Sequence, residues 1–529
     1  MSFSFAMPYG SGRSAVLGRN VVATSQPLAV EAGIDALRQG GNAIDAALAA
    51  AITLVVVEPT SNGLGSDAFA IVWDGTALHG LNASGRAPKA WRPERFAGLE
   101  AMPNRGWDSV SVPGAVSAWV ALSERFGRLP FEALFERAID YAQNGFPVSP
   151  IIAGQWARIA PNYQGQPGFD QTFMPGGRTP AAGDVFRFSD AADSLRAIAA
   201  TKGDAFYRGD LAIALADHAA AHGGAMTVDD LAAHSADWCE TVAQPFAGAA
   251  LHELPPNGQG IASLIALGLL GHHELDPGDP DGADTLHLQI EAMKLALADL
   301  AAHVSDPATM KTSPRALLGK TYLKERAALI DPGKAGDFGP GDPGEGGTVY
   351  VAAADAEGRM VSFIQSNYQG FGSGVVVPGT GISLQDRGAG FTLEPGHPNE
   401  VGPGKRPLNT IIPGFVMKDG APWMSFGVMG GPMQAQGHVQ MVVRTLVHSQ
   451  NPQAASDAPR WRVMQGGGVA LEAGMSPKTV EGLAAKGHEI SNEPLDASWA
   501  FGGAQLICRG ETGYVAGSDH RKDGYAAAF

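Results

Sequence analysis

Cysteine is almost absent from this sequence, which has only Cys239 and Cys508 among its 529 residues. Two cysteines so far apart do not make a disulfide framework or a cysteine-ligated metal site. Unpaired thiols are typical of proteins in a reducing compartment. The sequence therefore predicts a cytoplasmic protein.

Long apolar segments are missing as well. Residues 1–18 contain no apolar core of a signal peptide. The most apolar run, Ala43–Val57, is short for a membrane span and carries Asp45. We expect this run to be a buried helix and the membrane not to be a partner.

Basic residues are outnumbered by acidic ones. The chain has 37 Lys and Arg against 53 Asp and Glu residues, a formal net charge of −16. A surface this acidic repels nucleic acid and anionic lipid. The charge therefore argues against a nucleic-acid partner.

Apolar residues and glycine are abundant. Hydrophobic residues make up 45% of the chain and charged residues 17%, a globular composition. The 70 glycines predict many tight turns and close backbone approaches. The length suits one large core or two to three ordinary domains.

The first part of the chain carries helical patterns and one hairpin. Apolar residues at helical spacing predict helices over Pro27–Arg38, Ala43–Val57 and residues 286–303. Asp74-Gly75 suits a two-residue turn, which predicts a hairpin over residues 68–81.

The composition changes after Asp331. Residues 331–347 are rich in Gly, Pro and Asp, which predicts a flexible surface segment. Paired strand patterns then follow, over residues 348–354 and 359–366, 410–417 and 422–428, and 503–508 and 513–517. With a helix predicted over residues 432–449, this order favours an α+β fold with αββα layering.

The glycine-rich segment ends in Gly346-Gly347-Thr348 and a strand. A threonine hydroxyl is a weak nucleophile that needs a neighbouring base. A cut before Thr348 would free its α-amine, which has a pKa of about 8 and can serve as that base. Before the cut, the hydroxyl can attack the unhindered Gly347 carbonyl. We predict cleavage between Gly347 and Thr348 and nucleophilic catalysis by Thr348; an ordinary strand start after a loop is the alternative.

Two further segments suggest parts of a site. Gly430-Gly431 ends a predicted strand before Pro432 and a helix, so its N–H groups can stabilise an oxyanion. A purely structural corner is the alternative. Residues 403–410 bring Lys405, Arg406, Asn409 and Thr410 together before a strand. This run either recognises an anionic group or is a solvated turn.

Several short motifs occur in one order along the chain. They are residues 43–59 with Gly63-Leu64-Gly65, Val112-Pro113-Gly114, residues 286–299, Gly347-Thr348, residues 403–407, Gly430-Gly431 and residues 517–521. In this order they resemble the γ-glutamyltransferases, also called γ-glutamyl transpeptidases. The resemblance extends through nearly the whole chain.

The resemblance implies an αββα N-terminal-nucleophile hydrolase fold and self-cleavage before Thr348. Residues 1–347 would form a large subunit and residues 348–529 a small one, and the two would stay associated; a dimer of such pairs is one assembly considered. No cofactor or metal is implied. The partners would be a small amide substrate and either water or an amine acceptor.

The resemblance also assigns residues. Thr348 is the nucleophile, and Gly430 and Gly431 form the oxyanion hole. Ser366 stands where the family has a supporting threonine hydroxyl, and Asn409 and Thr410 replace its paired serines.

The chain departs from the family where the substrate's charged groups would bind. The family's carboxylate-binding arginine is displaced by two positions, to Arg86. Its amine-binding acidic residues are replaced by Ala389 and Gly390, and Arg387 is gained nearby. Tyr368 occupies the position of a substrate-binding asparagine, beside Asn367.

An arginine in place of acidic groups favours a carboxylate over an ammonium. We therefore predict hydrolysis of an acyl group that ends in a carboxylate, as in the oxamate amidohydrolases and glutaryl-cephalosporin acylases of this family. Arg387 as a surface ion-pair residue is the simpler alternative. The predicted substrate-binding residues are Arg86, Asn367, Tyr368, Arg387, Asn409 and Thr410.

Other functions fit the sequence less well. Gly63-Leu64-Gly65 follows a helix and precedes a strand, the reverse of a dinucleotide-binding turn. The 14 histidines show no zinc-type spacing. A genuine γ-glutamyltransferase or glutathione hydrolase is one alternative, and an uncleaved binding or scaffold protein is another.

Overall fold

The computed structural model describes residues 12–338, 347–494 and 499–529. The helices in these residues are α1 Pro27–Arg38, α2 Ala43–Val57, α3 Ala115–Phe126, α4 Glu136–Asn144, α5 Pro150–Ile159, α6 Phe169–Phe173, α7 Ser189–Thr201, α8 Asp204–Tyr207, α9 Asp210–Ala221, α10 Val228–Ala232, α11 Gly260–Leu270, α12 Ala283–His303, α13 Pro314–Leu317, α14 Lys320–Ala327, α15 Met433–Leu446, α16 Pro452–Asp457 and α17 Pro477–Ala485. The strands are β1 Val16–Gly18, β2 Val21–Thr24, β3 Asp67–Trp73, β4 Leu78–Ala83, β5 Phe146–Pro147, β6 Val185–Phe186, β7 Asp237–Cys239, β8 Val242–Phe246, β9 Ala249–Glu253, β10 Gly347–Ala354, β11 Met360–Tyr368, β12 Val376–Val377, β13 Ile382–Ser383, β14 Gly414–Lys418, β15 Ala421–Met429, β16 Trp461–Val463, β17 Val469–Leu471, β18 Ile490–Asn492, β19 Gly503–Arg509, β20 Tyr514–Ser518 and β21 Tyr525–Ala528.

Two seven-stranded sheets organise the fold. The first sheet has the order β1-β20-β19-β15-β14-β9-β8, and the second has the order β21-β2-β10-β11-β3-β4-β7. Every pair of neighbours in both sheets is antiparallel. The mixed helix and sheet class predicted from the sequence is confirmed.

Strand β10 shows how the sheets and helices share the core. Its alternate residues Val349, Val351 and Ala353 pack in the apolar cluster that contains α1, α2 and α3. Tyr350 and Ala352 point the other way, into a cluster that also holds residues of the first sheet. Both faces of β10 are therefore buried, as its unbroken apolar sequence requires.

The predicted helix over Ala43–Val57 is confirmed at both ends, and every one of its residues is buried. The Asn42 side chain accepts hydrogen bonds from the N–H groups of Ile44 and Asp45, and Asp45 accepts from the Asn42 N–H. This reciprocal cap explains why the helix begins directly after Gly40-Gly41. Among the helices described, none combines the length and apolarity that crossing a bilayer requires.

The strand predicted over residues 410–417 begins later, at Gly414. The N–H of Ile411 donates to the Asn409 side chain and that of Ile412 to the Gln434 side chain. The side chains of Asn409 and Gln434 therefore accept the hydrogen bonds that the carbonyl groups of a neighbouring strand would otherwise accept. The helix predicted over residues 432–449 is α15, for which Pro432 is the N-cap residue.

Part of the segment over residues 331–347 is anchored. His287 Nε2 lies 2.8 Å from the Asp331 carbonyl oxygen, the Gly336 N–H donates to Glu291 at 2.6 Å, and Lys294 donates to the Gly336 carbonyl at 3.3 Å. The prediction of a flexible segment is therefore wrong for its beginning, which binds to α12. Residues 339–346, including Gly346, lie outside the described residues.

Both sheets contain strands from before and from after the Gly347–Thr348 bond, and these strands pair with each other. In the second sheet, β10 lies between β2 and β11, and β2 also pairs with β21. In the first sheet, β1 pairs with β20 and β9 pairs with β14. A cut before Thr348 would therefore leave two fragments that share both sheets.

Candidate active site

Thr348 lies at the end of the buried face between the two sheets. Because side chains alternate along a strand, Thr348 shares a face of β10 with Tyr350. Ser366 and Asp67 are cross-strand partners at the same end of β11 and β3. The polar face formed by Thr348, Ser366 and Asp67 thus continues the apolar face that holds the sheets together.

The Thr348 hydroxyl has a defined orientation. Its Oγ1 donates to Ser366 Oγ at 3.1 Å and accepts from Gln434 Nε2 at 3.2 Å. Ser366 Oγ also accepts from the Tyr368 N–H at 2.7 Å. Thr348 is only 1% exposed, so these contacts are screened little by water. The structure thereby brings the predicted nucleophile and its predicted supporting hydroxyl together.

The Gly430-Gly431 corner follows β15 and precedes α15. Gly430 has φ 119° and Gly431 has φ 58°, backbone conformations that favour glycine. A Cβ at Gly430 would lie 2.9 Å from the Cα of Gly502. Gln259 Nε2 donates to the Gly431 carbonyl at 2.9 Å, which holds the corner in place.

The amides of this corner are available for an oxyanion. Among the described residues, neither the Gly430 nor the Gly431 N–H donates to a backbone carbonyl. The corner precedes a helix N-terminus, where the dipole favours negative charge. Gln434, in the first turn of that helix, donates to Thr348 Oγ1, so one side chain connects the segment that carries these amides to the nucleophile.

Arg387 is a buried cation. Its side chain is 1% exposed, and Nη1 donates to Thr410 Oγ1 at 2.9 Å. Its guanidinium lies 4.7 Å from the centre of the Tyr368 ring. Within the part of the chain that the structure describes, Nε and Nη2 have no hydrogen-bond partner. Arg387 is not the surface ion-pair residue that the simpler alternative assumed.

Two buried carboxyl groups flank Arg387, and the sequence analysis did not single them out. Burial raises the pKa of Asp67 to about 6, although Arg387 and the Gly85 N–H partly oppose that rise. Burial likewise raises the pKa of Asp386 to about 7, against the effects of the Gln369 N–H and Arg105. The expectation that the pocket lacks acidic groups therefore needs correction. Residues 389 and 390 are neutral, but Asp67 and Asp386 are near enough to Arg387 for its charge to affect them.

Asn409 and Thr410 connect these groups. Asn409 Nδ2 donates to Asp67 Oδ2 at 3.2 Å. Thr410 Oγ1 accepts from Arg387, and its carbonyl accepts from Gln259. The structure thus joins both residues to the charged groups beside the nucleophile. Their contact with a substrate stays a prediction.

Asn367 and Arg86 are not brought to Thr348. Asn367 is the residue after Ser366, so its side chain lies on the opposite face of β11. There it accepts from Ser66 Oγ at 2.9 Å and donates to Ser383 Oγ at 3.4 Å. Its side chain therefore ties β11 to neighbouring segments, and its contact with a substrate stays a prediction.

Arg86 lies among protein carboxylates. Its side chain is 46% exposed, and its guanidinium is 3.6 Å from the carboxylates of Asp237 and of Asp306. These two groups balance its charge, so Arg86 is a weaker candidate than Arg387 for binding a substrate carboxylate.

Arg406 is likewise bound by protein groups, because it donates to the Ser84 carbonyl and to Asp237. The buried Arg406 is thus not part of a solvated turn, and recognition of an anionic group by its segment stays a prediction.

One group of described residues has the composition of a metal site. His287, Glu291 and His488 place possible ligand atoms within 4.8 Å of one another. Lys294 Nζ, however, lies 3.0 Å from Glu291 Oε1 and already supplies a cation. His287 Nδ1 lies 2.8 Å from His488 Nε2, as in a hydrogen-bonded pair. This group was missed in the sequence because His488 is distant along the chain from α12.

The chain is similar to known proteins over nearly its whole length. A family model described as Gamma-glutamyltranspeptidase matches residues 29–529. The glutathione hydrolase-like YwrD proenzyme of Bacillus subtilis is 36% identical over 530 residues, covering 98% of this chain and 100% of that protein. The oxamate amidohydrolase proenzyme of Klebsiella pneumoniae is 37% identical over 517 residues, covering 95% of this chain and 97% of that protein.

A solved structure agrees over the full length. The cephalosporin acylase from Bacillus halodurans superimposes with a TM-score of 0.93 at 45% sequence identity, covering 100% of this chain and 99% of that chain. The likeness therefore includes both sheets and the segments that carry Thr348, Arg387 and Gly430.

Proposed function

Because this chain belongs to the gamma-glutamyltranspeptidase family, we propose that it is a precursor that cuts itself before Thr348 and then hydrolyses amides of small carboxylate-bearing acyl groups. The observation that carries the substrate class is the buried Arg387 guanidinium, with two unpartnered nitrogen atoms. This guanidinium lies against the Tyr368 ring. The Tyr368 N–H and the Thr348 hydroxyl both donate to Ser366 Oγ, which connects Arg387 to the nucleophile.

Self-cleavage follows from the contacts of Thr348. Its Oγ1 attacks the Gly347 carbonyl carbon while the hydroxyl proton leaves toward Ser366 Oγ and is delivered to the Thr348 nitrogen. The peptide C–N bond breaks, and Gly347 is left as an ester on Oγ1. Water then hydrolyses this ester, which yields a Gly347 carboxylate and a Thr348 with free hydroxyl and α-amine.

The mature site repeats this chemistry on a substrate. The α-amine of Thr348 takes the hydroxyl proton as Oγ1 attacks the substrate amide, and it passes that proton to the leaving amine. The N–H groups of Gly430 and Gly431 stabilise the negative charge on the tetrahedral oxygen. Water hydrolyses the acyl ester and regenerates Thr348; an amine acceptor in place of water would give transfer.

Arg387 supports an anionic acyl group because a buried guanidinium is stabilised by a carboxylate that fills its unpaired N–H positions. A glutaryl group, or the oxalyl group that cleavage of oxamate would transfer, carries such a carboxylate without the α-ammonium of glutamate. The relatives named oxamate amidohydrolase and cephalosporin acylase agree with this class.

Two substrates that differ only in an α-ammonium test the proposal. We expect kcat/KM for a glutaryl anilide to exceed that for the γ-glutamyl anilide by about tenfold or more, since an ammonium beside Arg387 is repelled. Release of the aniline is followed by absorbance, and oxamate hydrolysis by ammonia release. A clear preference for the γ-glutamyl compound would overturn the substrate class but leave Thr348 catalysis intact.

Hydrolysis of γ-glutamyl amides is the second candidate. Asp67 and Asp386 are the observation that favours it, because two carboxyl groups near Arg387 offer partners for an ammonium. Their raised pKa values mean that part of each is neutral near pH 7, which weakens such binding. We therefore rank this function below the first.

The same carboxyl groups predict a pH dependence of substrate binding. Burial favours their protonated forms, so both lose negative charge as the pH falls from 8 to 6. The surroundings of Arg387 become more positive, and KM for a glutaryl amide should fall by roughly threefold to tenfold. Over the same range kcat should fall, because the α-amine of Thr348 gains a proton.

Steady-state kinetics between pH 6 and 8.5 separate these effects. With Asp386→Asn, the decrease in KM should be smaller, and with a neutral butanoyl amide KM should not change with pH. A KM for the glutaryl amide that stays constant or rises toward pH 6 would contradict the electrostatic argument.

The three apolar clusters support a four-layer αββα arrangement, and the shared sheets support fragments 1–347 and 348–529 that stay together after cleavage. Cys239 and Cys508 are free thiols, which supports a cytoplasmic location.

A further inference from the structure

Gln434 is a buried amide that touches the nucleophile, and neither the sequence motifs nor the family resemblance singled it out. It lies in the first turn of α15, directly after the Gly430-Gly431 corner, and its side chain is fully buried. Nε2 donates to Thr348 Oγ1 at 3.2 Å, and Oε1 accepts from the Ile412 N–H at 3.0 Å.

The orientation of this amide is determined by its partners. The Ile412 N–H can only donate, so the atom facing it must be the carbonyl oxygen of Gln434. A flipped amide would set NH₂ against N–H and a carbonyl oxygen against Oγ1. The Gln434 NH₂ group therefore faces Thr348.

A donor on one side of Oγ1 directs the hydroxyl proton to the other side. With one lone pair held by Gln434, Oγ1 donates its proton to Ser366 Oγ. Gln434 also moves with the corner that carries the oxyanion amides, because the Gln434 N–H donates to the Gly431 carbonyl at 3.1 Å.

We propose that Gln434 is a catalytic residue that holds the Thr348 hydroxyl in its reactive orientation, both in self-cleavage and in turnover. The inference rests on the proposed function, since it assumes that Thr348 is the nucleophile. The amide transfers no proton. It donates one hydrogen bond to Oγ1. In the precursor this keeps the hydroxyl proton directed at Ser366, and in turnover the same hydrogen bond holds Oγ1 while the α-amine of Thr348 takes the proton.

Gln434→Glu tests the donor. A carboxylate can still accept from Ile412, but it cannot donate to Thr348, and it would draw the hydroxyl proton away from Ser366. We expect self-cleavage at pH 8 to slow by about a hundredfold relative to the wild type, the usual effect of losing one donor at a reacting oxygen. On acidification the carboxyl group gains a proton and can donate again, so the ratio of variant to wild-type rate should rise between pH 8 and 5.

Gln436→Glu is the matched control. Gln436 is buried on the same helix, but its side chain bonds the N–H and carbonyl of Val463 and does not touch Thr348. A carboxylate there should perturb α15 to a similar extent without changing the orientation of the nucleophile. Its rate ratio should not rise on acidification. Gln434→Met, which removes the donor without adding charge, should be slow at every pH.

Self-cleavage is measured on folded precursor, isolated by gel filtration and followed by denaturing electrophoresis. A pH-dependent recovery in Gln434→Glu alone supports the inference. Equal behaviour of the two Glu variants, or wild-type rates in Gln434→Met, overturns it while the proposed function stands. Failure of the wild type itself to cleave would instead refute the proposed function.

Discussion

Thr348→Ala should leave the chain whole. The wild-type chain of 54.7 kDa should separate on denaturing electrophoresis into fragments of residues 1–347 and 348–529. The alanine variant has no hydroxyl to attack the Gly347 carbonyl and no nucleophile for a substrate. We expect loss of self-cleavage and a decrease in turnover of at least about ten-thousandfold. Intact mass spectrometry identifies the new N-terminus at Thr348.

Thr348→Ser is the control for this result. Serine keeps the hydroxyl and lacks only the methyl group, so it should still cleave, more slowly, at the same bond. Cleavage at Gly347 in the alanine variant would show that another group, or a contaminating protease, cuts the chain. A wild-type protein that remains uncut after long incubation would favour the scaffold alternative.

Arg387→Met should abolish the preference for acidic acyl groups. Methionine is a long apolar residue without charge, so the substrate carboxylate would be buried without a partner. We expect kcat/KM for a glutaryl anilide to fall by about a hundredfold to a thousandfold, whereas the value for a butanoyl anilide should change little. The ratio of the two values, measured on cleaved protein, reports recognition of the carboxylate separately from any loss of active enzyme.

Arg86→Met is the matched control, because it removes an arginine that already lies between Asp237 and Asp306. We expect its glutaryl-to-butanoyl ratio to stay near that of the wild type. A large decrease in this ratio with Arg86→Met and none with Arg387→Met would show that Arg86, and not Arg387, recognises the carboxylate. The thermal unfolding of both variants should also be measured. Arg387 stabilises the buried Asp67 carboxylate, so its loss can lower the stability of the protein.

Local patterns were sufficient for the regular elements. The helix Ala43–Val57 was predicted with its observed ends from its run of apolar residues, and the structure adds the cap of Asn42 and Asp45 that starts it. The strands around Thr348 were predicted because their apolar runs are interrupted by turn residues. The start of β14 was missed because its upstream N–H groups are bound by side chains, one of them from α15.

The sequence by itself predicted Thr348 as the nucleophile and the Gly430-Gly431 corner as the oxyanion site, since each lies in a short motif whose chemistry is local. Ser366 was predicted through the family resemblance. The sequence also indicated Arg387. Only the tertiary structure decided which polar groups surround them. Asp67 and Gln434 come from different elements, and Asn367 is directed away from Thr348 by strand alternation. A contact between distant segments depends on how both sheets and α15 pack, and no local pattern records that distance.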